Sequence, residues 1–339
     1  MIGTTSISGT DLQCSRIGLG TWAIGGWLWG GTDEAESIRT VQAAVDRGIS
    51  LIDTAPVYGM GTSEELVGRA LAEGGRRERV LIATKAGLNW RDDRPFRDAR
   101  PERIEREVED SLRRLRTDVI DIYQVHWPDP LVPIEETAGA MKRLHDAGRI
   151  RAIGVSNFST EQLDRFREVA PVHVVQPPYN LFERGIEDGM LPYARKHGLT
   201  TMTYGALCRG LLSGRMGEDT RFEGDDLRHF DPKFQPPRFR QYLAAVDELD
   251  TLARERFGKR IIHLALAWIL NKPGVGIALW GARHPHQLDP LADIADIELD
   301  ASTLAEIDRV LATTVANPVG PEFMAPPTRD QVAGASPTE

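Results

Sequence analysis

Apolar positions along the chain follow two rhythms in alternation. Short runs, rich in β-branched residues and apolar almost throughout, occur at RIGLGTW, ISLIDTA, RVLIATKAG, DVIDIYQVHW, IRAIGVSNF, VHVVQPPYN, LTTMTYGAL and GVGIALWGAR. Such runs suit strands buried on both faces, as parallel strands are. Between them lie amphipathic stretches such as DEAESIRTVQAAVDRG, SEELVGRALAEGG, RPERIEREVEDSLRRLR, PIEETAGAMKRLHDAGR, TEQLDRFREVA and IEDGMLPYARKHG, which predict helices. Thr32, Ser63 and Ser159 or Thr160 are the expected N-caps, Pro101 and Pro133 suit first turns, and Gly48, Gly148 and Gly198 suit C-terminal caps. Eight strand-like runs alternating with helices, with no linker dividing them, predict one closed (β/α)8 barrel over residues 1–315 rather than an open sheet.

Three stretches break the alternation. The opening TTSISGTDLQCS reads as a β-hairpin turning near Gly9, placed to plug one end of the barrel. Residues 208–239 are rich in charge, glycine and proline and read as a long loop after the seventh strand, of the kind that more often serves function than idles. Residues 316–339 are Pro-rich and weakly periodic, and are expected to be extended or disordered.

Composition narrows the class of protein. The net charge of −9 argues against a general nucleic-acid surface. The longest apolar runs, such as LALAWIL, fall far short of the roughly 18 residues a membrane span needs. The N-terminus lacks the basic start and apolar core of a signal peptide, and two cysteines, Cys14 and Cys208, offer no disulfide framework. These features point to a cytoplasmic protein without nucleic-acid or membrane partners. They carry no signal of oligomeric state.

The ends of the predicted strands carry the chemistry. Asp53, Lys85, His126, Asn157, Gln176, Tyr204 and Arg283 each follow an apolar run. Any one could be a strand reaching solvent, but in a barrel such ends converge on the face where active sites of this fold lie. The stretch LIDTAPVYG adds Tyr58, five positions after Asp53.

These residues, together with the motifs LIDTAPVYG, ATKAG, YQVHWPDP, GVSNF, QPPYN, YGALCRGLLSG and GARHPHQ in that order, resemble the aldo-keto reductase superfamily from GLGTW to about residue 315. GGWLWGGTDE and ALWGAR resemble its bacterial general-stress branch. The resemblance implies reduction of aldehydes or ketones by hydride transfer from a nicotinamide cofactor, NADPH before NADH, and a catalytic tetrad of Asp53, Tyr58, Lys85 and His126. In that reading Tyr58 protonates the nascent alkoxide, Lys85 lowers the tyrosine pKa, Asp53 keeps the lysine charged, and His126 orients the carbonyl without needing a charge.

The resemblance also implies a cofactor site. Gly20, Thr21 and Trp22 would border it with Asp53. Ser156, Asn157 and Gln176 would hold the carboxamide, and Tyr204 would stack on the ring. Gly205, Leu207, Arg209 and Gly210 would approach the pyrophosphate, while Gly281, Ala282, Arg283 and Gln287 would take the adenosine phosphate end, where a guanidinium suits a 2'-phosphate. Trp280 stands before Gly281 where many members have proline, and the lysine and serine common in that turn are missing, which leaves NADH as the alternative. GLGTWA fits a dinucleotide fingerprint, but no helix begins inside it. His284 and His286 lack the acidic or thiol partners of a metal set, so no metal is expected.

Trp27, Trp29, Trp90 and Trp127 suggest an aromatic substrate pocket open to a broad range of small carbonyl compounds. The basic loop NWRDDRPFRDAR reads first as solvated surface, or else as a wall admitting an anionic or polar group. Two other readings stand beside the reductase: a cofactor-carrying auxiliary subunit with vestigial activity, as some members of the superfamily are to potassium channels, and a barrel hydrolase. The first lacks a long N-terminal extension to engage a partner, and the second would need a carboxylate pair or metal cluster.

Overall fold

The computed structural model describes residues 3–333; the last six positions of the predicted tail lie outside them. A hairpin of β1 (Thr4–Ser6) and β2 (Gln13–Ser15) precedes the barrel strands β3 (Ile17–Gly20), β4 (Leu51–Asp53) and β5 (Leu81–Ala86). A second hairpin, β6 (Leu88–Arg91) and β7 (Arg94–Arg97), follows β5. The barrel continues with β8 (Ile120–Val125), β9 (Ile150–Ser156), β10 (Val174–Gln176), β11 (Thr200–Thr203) and β12 (Ile277–Gly281). Strands β3, β4, β5, β8, β9, β10, β11 and β12 pair in parallel and close by the β12–β3 ladder, Ala278 opposite Ile17 through Gly281 opposite Gly20. The expected (β/α)8 barrel is therefore the fold.

Helices α1 (Glu34–Asp46), α2 (Thr62–Leu71), α3 (Pro101–Leu115), α4 (Ile134–Asp146), α5 (Thr160–Arg167) and α6 (Met190–His197) follow successive strands, and the pair α7 (Arg238–Phe257) and α8 (Ile261–Asn271) follows the long loop after β11. Helix α9 (Ala301–Thr314) and the short α10 (Arg329–Ala333) end the described chain. Strand residues facing the helices join one large core, while the barrel interior is a separate layer containing Leu51, Ala83, Ile122, Ala152, Val174, Met202, Ile277 and Leu279. Ile7, Leu12 and Cys14 of the first hairpin complete that inner layer, so the hairpin does plug one end. Both thiols are free and buried, and burial pushes each up to about 12.

Local details differ from the sequence expectations in instructive ways. Ser159 caps α5 with a reciprocal bond from Gln162, and Pro101 opens α3. Asp33, not Thr32, caps α1, its carboxylate accepting from the Glu36 amide. Gly61 occupies the cap of α2 because Ser63 is drawn inward, its hydroxyl bonded to those of Thr21 and Thr54. Pro133 is itself the N-cap of α4. The basic segment after β5 is a hairpin, turning on Asp92 and Asp93 with φ of 49° and 58°.

Of the two expectations for the tail, extended or disordered, disorder does not hold over its described residues. Residues 316–333 are tied across the barrel mouth: the Arg97 guanidinium donates to Pro326 O, the Arg97 amide to Pro327 O, and Arg329 pairs with Asp98 and Asp129. Long-range partners supply the order that its own sequence pattern does not.

Candidate active site

Backbone geometry brings the strand-end side chains together. Asp53 ends β4, Lys85 lies in the last turn-out of β5, and His126 follows β8 directly. Tyr58 stands in the loop after β4, whose backbone presses against Gly25. A Cβ on Gly25 would collide with the Tyr58 carbonyl, and one on Gly59, which has a φ of 69°, would collide with the Gly25 carbonyl. This bare contact fixes where the tyrosine emerges.

Lys85 is fully buried and makes three contacts: Nζ lies 2.7 Å from Asp53 Oδ2, 2.9 Å from Thr54 O and 3.3 Å from Tyr58 Oη. An ammonium has three hydrogens, and all three are spent here. Tyr58 therefore accepts from Lys85, which leaves its own O–H free to point into the cavity. The other Asp53 oxygen accepts from Gln176 Nε2 at 2.8 Å and Gln124 Nε2 at 3.3 Å. The His126 ring meets the Tyr58 ring edge-on at 5.7 Å, while Trp22 stacks on Tyr58 at 5.8 Å.

Protonation follows from burial. Burial, aided by the Lys85 charge, holds the His126 imidazole well below its ordinary range, so it is neutral at neutral pH. Burial pulls Lys85 down against the opposing pull of Asp53. Tyr58 overturns a sequence expectation: burial, then the charge of Asp53, hold its phenol well above its ordinary range rather than below it. Asp53 and Lys85 form a nearly neutral pair, so the ammonium does not act on the phenol as a lone cation would. The phenol stays protonated across the working range and so is present as a proton donor.

Two joined cavities open above this cluster, sharing Trp22, Tyr58, Tyr204 and Met324. The first, about 360 Å³, is lined by Gly20, Thr21, Trp22, Trp29, Asp53, Tyr204, Gly205, Leu207, Arg209, Gly210, Gly281, Ala282, Arg283 and Gln287. The second, about 450 Å³, holds His126 and Tyr58 between Trp27, Trp127, Phe230, Phe323 and the Ser156, Asn157 and Gln176 side of the mouth. Trp29 thus walls the first cavity rather than the second. Trp90 lines neither; it lies against the Arg103 guanidinium at 5.7 Å. Phe323, Met324, Pro326 and Pro327 come from the tail, and Arg228 and Phe230 from the long loop. Only contacts between segments distant in sequence reveal these six.

Several expected ligand groups are already engaged. Asn157 donates to His126 O and Ser156 Oγ and accepts from Tyr204 Oη at 2.9 Å, so it fixes the tyrosine ring. Ser156 Oγ bonds Gln176 O. Gln287 Oε1 accepts the Arg283 and His284 amides and caps the following 3-10 turn. Arg209 is locked between Glu183 and Asp231 and has no charge to spare for a phosphate. Arg283 differs: its guanidinium binds the carbonyls of Trp29 and Gly31 and has no carboxylate partner among the described residues. His284 pairs with Glu36, and no cluster of metal-binding residues occurs among the described residues.

The first cavity suits a nicotinamide dinucleotide. At Gly20 and Gly281 a Cβ would meet nothing closer than 3.8 Å and would occupy the cleft itself, so bare backbone lines the opening. Gly205 and Gly210, with φ of 75° and 91°, carry the chain around it. Trp22 Nε1 is buried and has no hydrogen-bond partner among the described residues.

The sequence profile of the Aldo/keto reductase family matches residues 16–312. The chain is 61% identical to the aldo-keto reductase YhdN of Bacillus subtilis strain 168 over 328 residues, covering 97% of this chain and 99% of that protein. It is 35% identical to the NADH-specific methylglyoxal reductase of Escherichia coli K12, covering 89% and 97% of the two chains. Among solved structures, the glycerol dehydrogenase AKR11B4 of Gluconobacter oxydans superposes with a TM-score of 0.86 at 54% identity, covering 95% of this chain and 99% of that one. An aldo/keto reductase of Klebsiella pneumoniae in complex with NADP and acetate superposes with a TM-score of 0.70 at 30% identity, covering 90% and 94%.

Proposed function

The chain belongs to the aldo/keto reductase family and is an NAD(P)H-dependent oxidoreductase, and from that premise we propose that it reduces aldehydes or ketones to alcohols with Tyr58 as the proton donor. The observation that carries this reading is the spent Lys85 ammonium, which makes Tyr58 Oη an acceptor on one side and an outward donor on the other. When bound, the reduced nicotinamide supplies a hydride to the carbonyl carbon. The chain's residues handle the oxygen. Tyr58 gives its proton as charge develops there, and neutral His126 at the same cavity wall donates a hydrogen bond that orients the carbonyl. Lys85 then faces the tyrosine oxygen at 3.3 Å and stabilises it while it is short of a proton, and Asp53 keeps that ammonium in place.

Arg283 supports NADPH over NADH. Alone among the arginines of the first cavity it has no carboxylate against it, since Arg209 and Arg228 are neutralised by Glu183 with Asp231 and by Asp226. A ribose 2'-phosphate supplies the missing negative charge. Relatives stand on both sides: one is named NADH-specific, and another was solved with NADP.

The test follows NADPH and NADH oxidation separately with a panel of aldehydes, in the wild type and Tyr58→Phe. The variant is expected to lose about 10²–10⁴ in kcat, the range for a general acid, while still binding cofactor. Full carbonyl reduction by the variant refutes the assignment of the acid, and failure of the wild type to oxidise either cofactor refutes the activity.

A further inference from the structure

Resting on the carbonyl-reductase reading, we propose that Arg94 selects substrates bearing an anionic group, such as a carboxylate, at the end of the molecule away from the carbonyl. Arg94, exposed at the rim, is the one charged residue lining the second cavity among the described residues. The rest of that wall is aromatic, aliphatic or neutral polar, with His126 uncharged. This cation makes no ion pair among the described residues.

Its neighbours show how unusual that is. In the same segment Arg97 is held by Pro326 O and Pro128 O and lies over the Trp127 ring, Arg100 is paired with Asp98, and Arg103 with Glu107. Arg94 instead stands directly opposite Arg91 at the tip of the β6–β7 hairpin. Like charges in directly opposed cross-strand positions destabilise a ladder, and neither Asp92 nor Asp93 of the connecting turn forms an ion pair with either arginine. An anion at the rim relieves that repulsion, and the guanidinium offers it a flat, forked set of donors.

The volume suits such a substrate. About 450 Å³ lies within the range for small-molecule pockets, and the apolar walls of Trp27, Trp127 and Phe323 suit a short aromatic or aliphatic spacer between the two ends. The carbonyl then lies at Tyr58 and His126 and the anion at the hairpin tip.

The experiment compares 4-carboxybenzaldehyde with its methyl ester, which keeps shape and carbonyl but removes the charge, at saturating NADPH. The wild type is expected to prefer the acid by about tenfold in kcat/KM, the effect of one charge-assisted hydrogen bond, with the gain in KM and shrinking as salt is raised. Arg94→Ala is expected to bring the ratio to about one and Arg94→Glu to reverse it. Because the readout is a ratio within each variant, any general loss of activity cancels. A wild-type ratio at or below one, or a ratio that survives Arg94→Ala, overturns the inference and leaves the reductase reading standing. Turnover of neither aldehyde overturns both.

Discussion

Two buried ion clusters lie within the barrel mouth, and they are built for opposite ends. Asp53 and Lys85 sit on adjacent strand ends, beneath the cavities, with a tyrosine hydroxyl as the third lysine contact. Glu183, Arg209, Asp231 and Lys233 sit on two loops, those after β10 and β11. Lys233 Nζ lies 2.8 Å from Glu183 and donates to Gly320 O at 3.0 Å, so the cluster also holds the start of the tail. Asn180 closes it by bonding both Glu183 and Gly205 O. Two cations meet two carboxylates, and although burial alone would raise Glu183, Arg209 and Lys233 bring its carboxyl below the ordinary range. The strand-end pair leaves one hydroxyl facing outward, whereas the loop cluster turns its charges on itself. One is arranged to act on a ligand and the other to hold a roof.

The largest effect separating the two comes from removing each lysine. Lys85→Met is expected to lower kcat by about 10²–10⁴, since it disarms the acid. It also leaves Asp53 buried without a cation, held only by the amides of Gln124 and Gln176, so some stability is lost with the rate. Lys233→Met leaves two buried carboxylates with one cation and is expected to cost about 3–5 kcal/mol. Thermal unfolding and limited proteolysis near Gly320 check it, alongside kcat per folded molecule. A Lys233 variant as stable as the wild type, or a Lys85 variant that loses stability rather than rate, erases the distinction.

Legibility in the sequence divides along the same line. Asp53, Lys85, His126 and Gln176 were readable because an apolar parallel strand announces its own end, and a closed barrel gathers those ends. Tyr58 was readable beside them, but the direction of its shift was not, because burial and the neutralised lysine depend on three-dimensional surroundings. The loop cluster gave no signal: Glu183, Arg209 and Asp231 are ordinary charged residues until the chain folds back on itself. Arg209 accordingly reads as a phosphate ligand in sequence and is an internal strut in the structure. The same holds for the tail, whose prolines suggest disorder while Arg97, Asp98 and Asp129, far upstream, fasten it. The β6–β7 hairpin carries no hairpin signal in the sequence, because its tip is charged on both strands and its turn uses Asp-Asp rather than Asn-Gly.

Another buried carboxylate, Glu107, sharpens the comparison at smaller cost. Glu107 accepts from the Gly87 amide and pairs with Arg103 alone, and burial wins: its carboxyl is pushed up to about 7. One cation fails where two succeed for Glu183. With the folded value above the unfolded one, the folded state holds the proton more tightly, so this group's contribution to stability is full below about 4.5, falls as pH rises, and is lost by about 7. Glu107→Gln is expected to remove that slope, gaining on the wild type as pH rises from 5 to 8. Parallel unfolding curves for the two proteins across that range would show that Arg103 suffices.

His126 provides the smallest effect, and on activity an expected absence. Its imidazole lines the second cavity, and burial together with the Lys85 charge keeps it neutral well below its ordinary 6.5. The rate of reducing an uncharged aldehyde should therefore show no inflection near pH 6.5 from this residue, since the form that donates to the carbonyl is already present on both sides of it. Stability behaves differently. As pH falls through 6.5 the unfolded chain gains a proton at His126 that the folded chain refuses, so stability present above that value declines on the acid side. His126→Gln is expected to flatten this part of the unfolding profile while lowering turnover at every pH. An inflection in wild-type kcat near 6.5 that vanishes in His126→Gln would mean that the imidazole takes a proton in the working enzyme, and that its burial does not hold there.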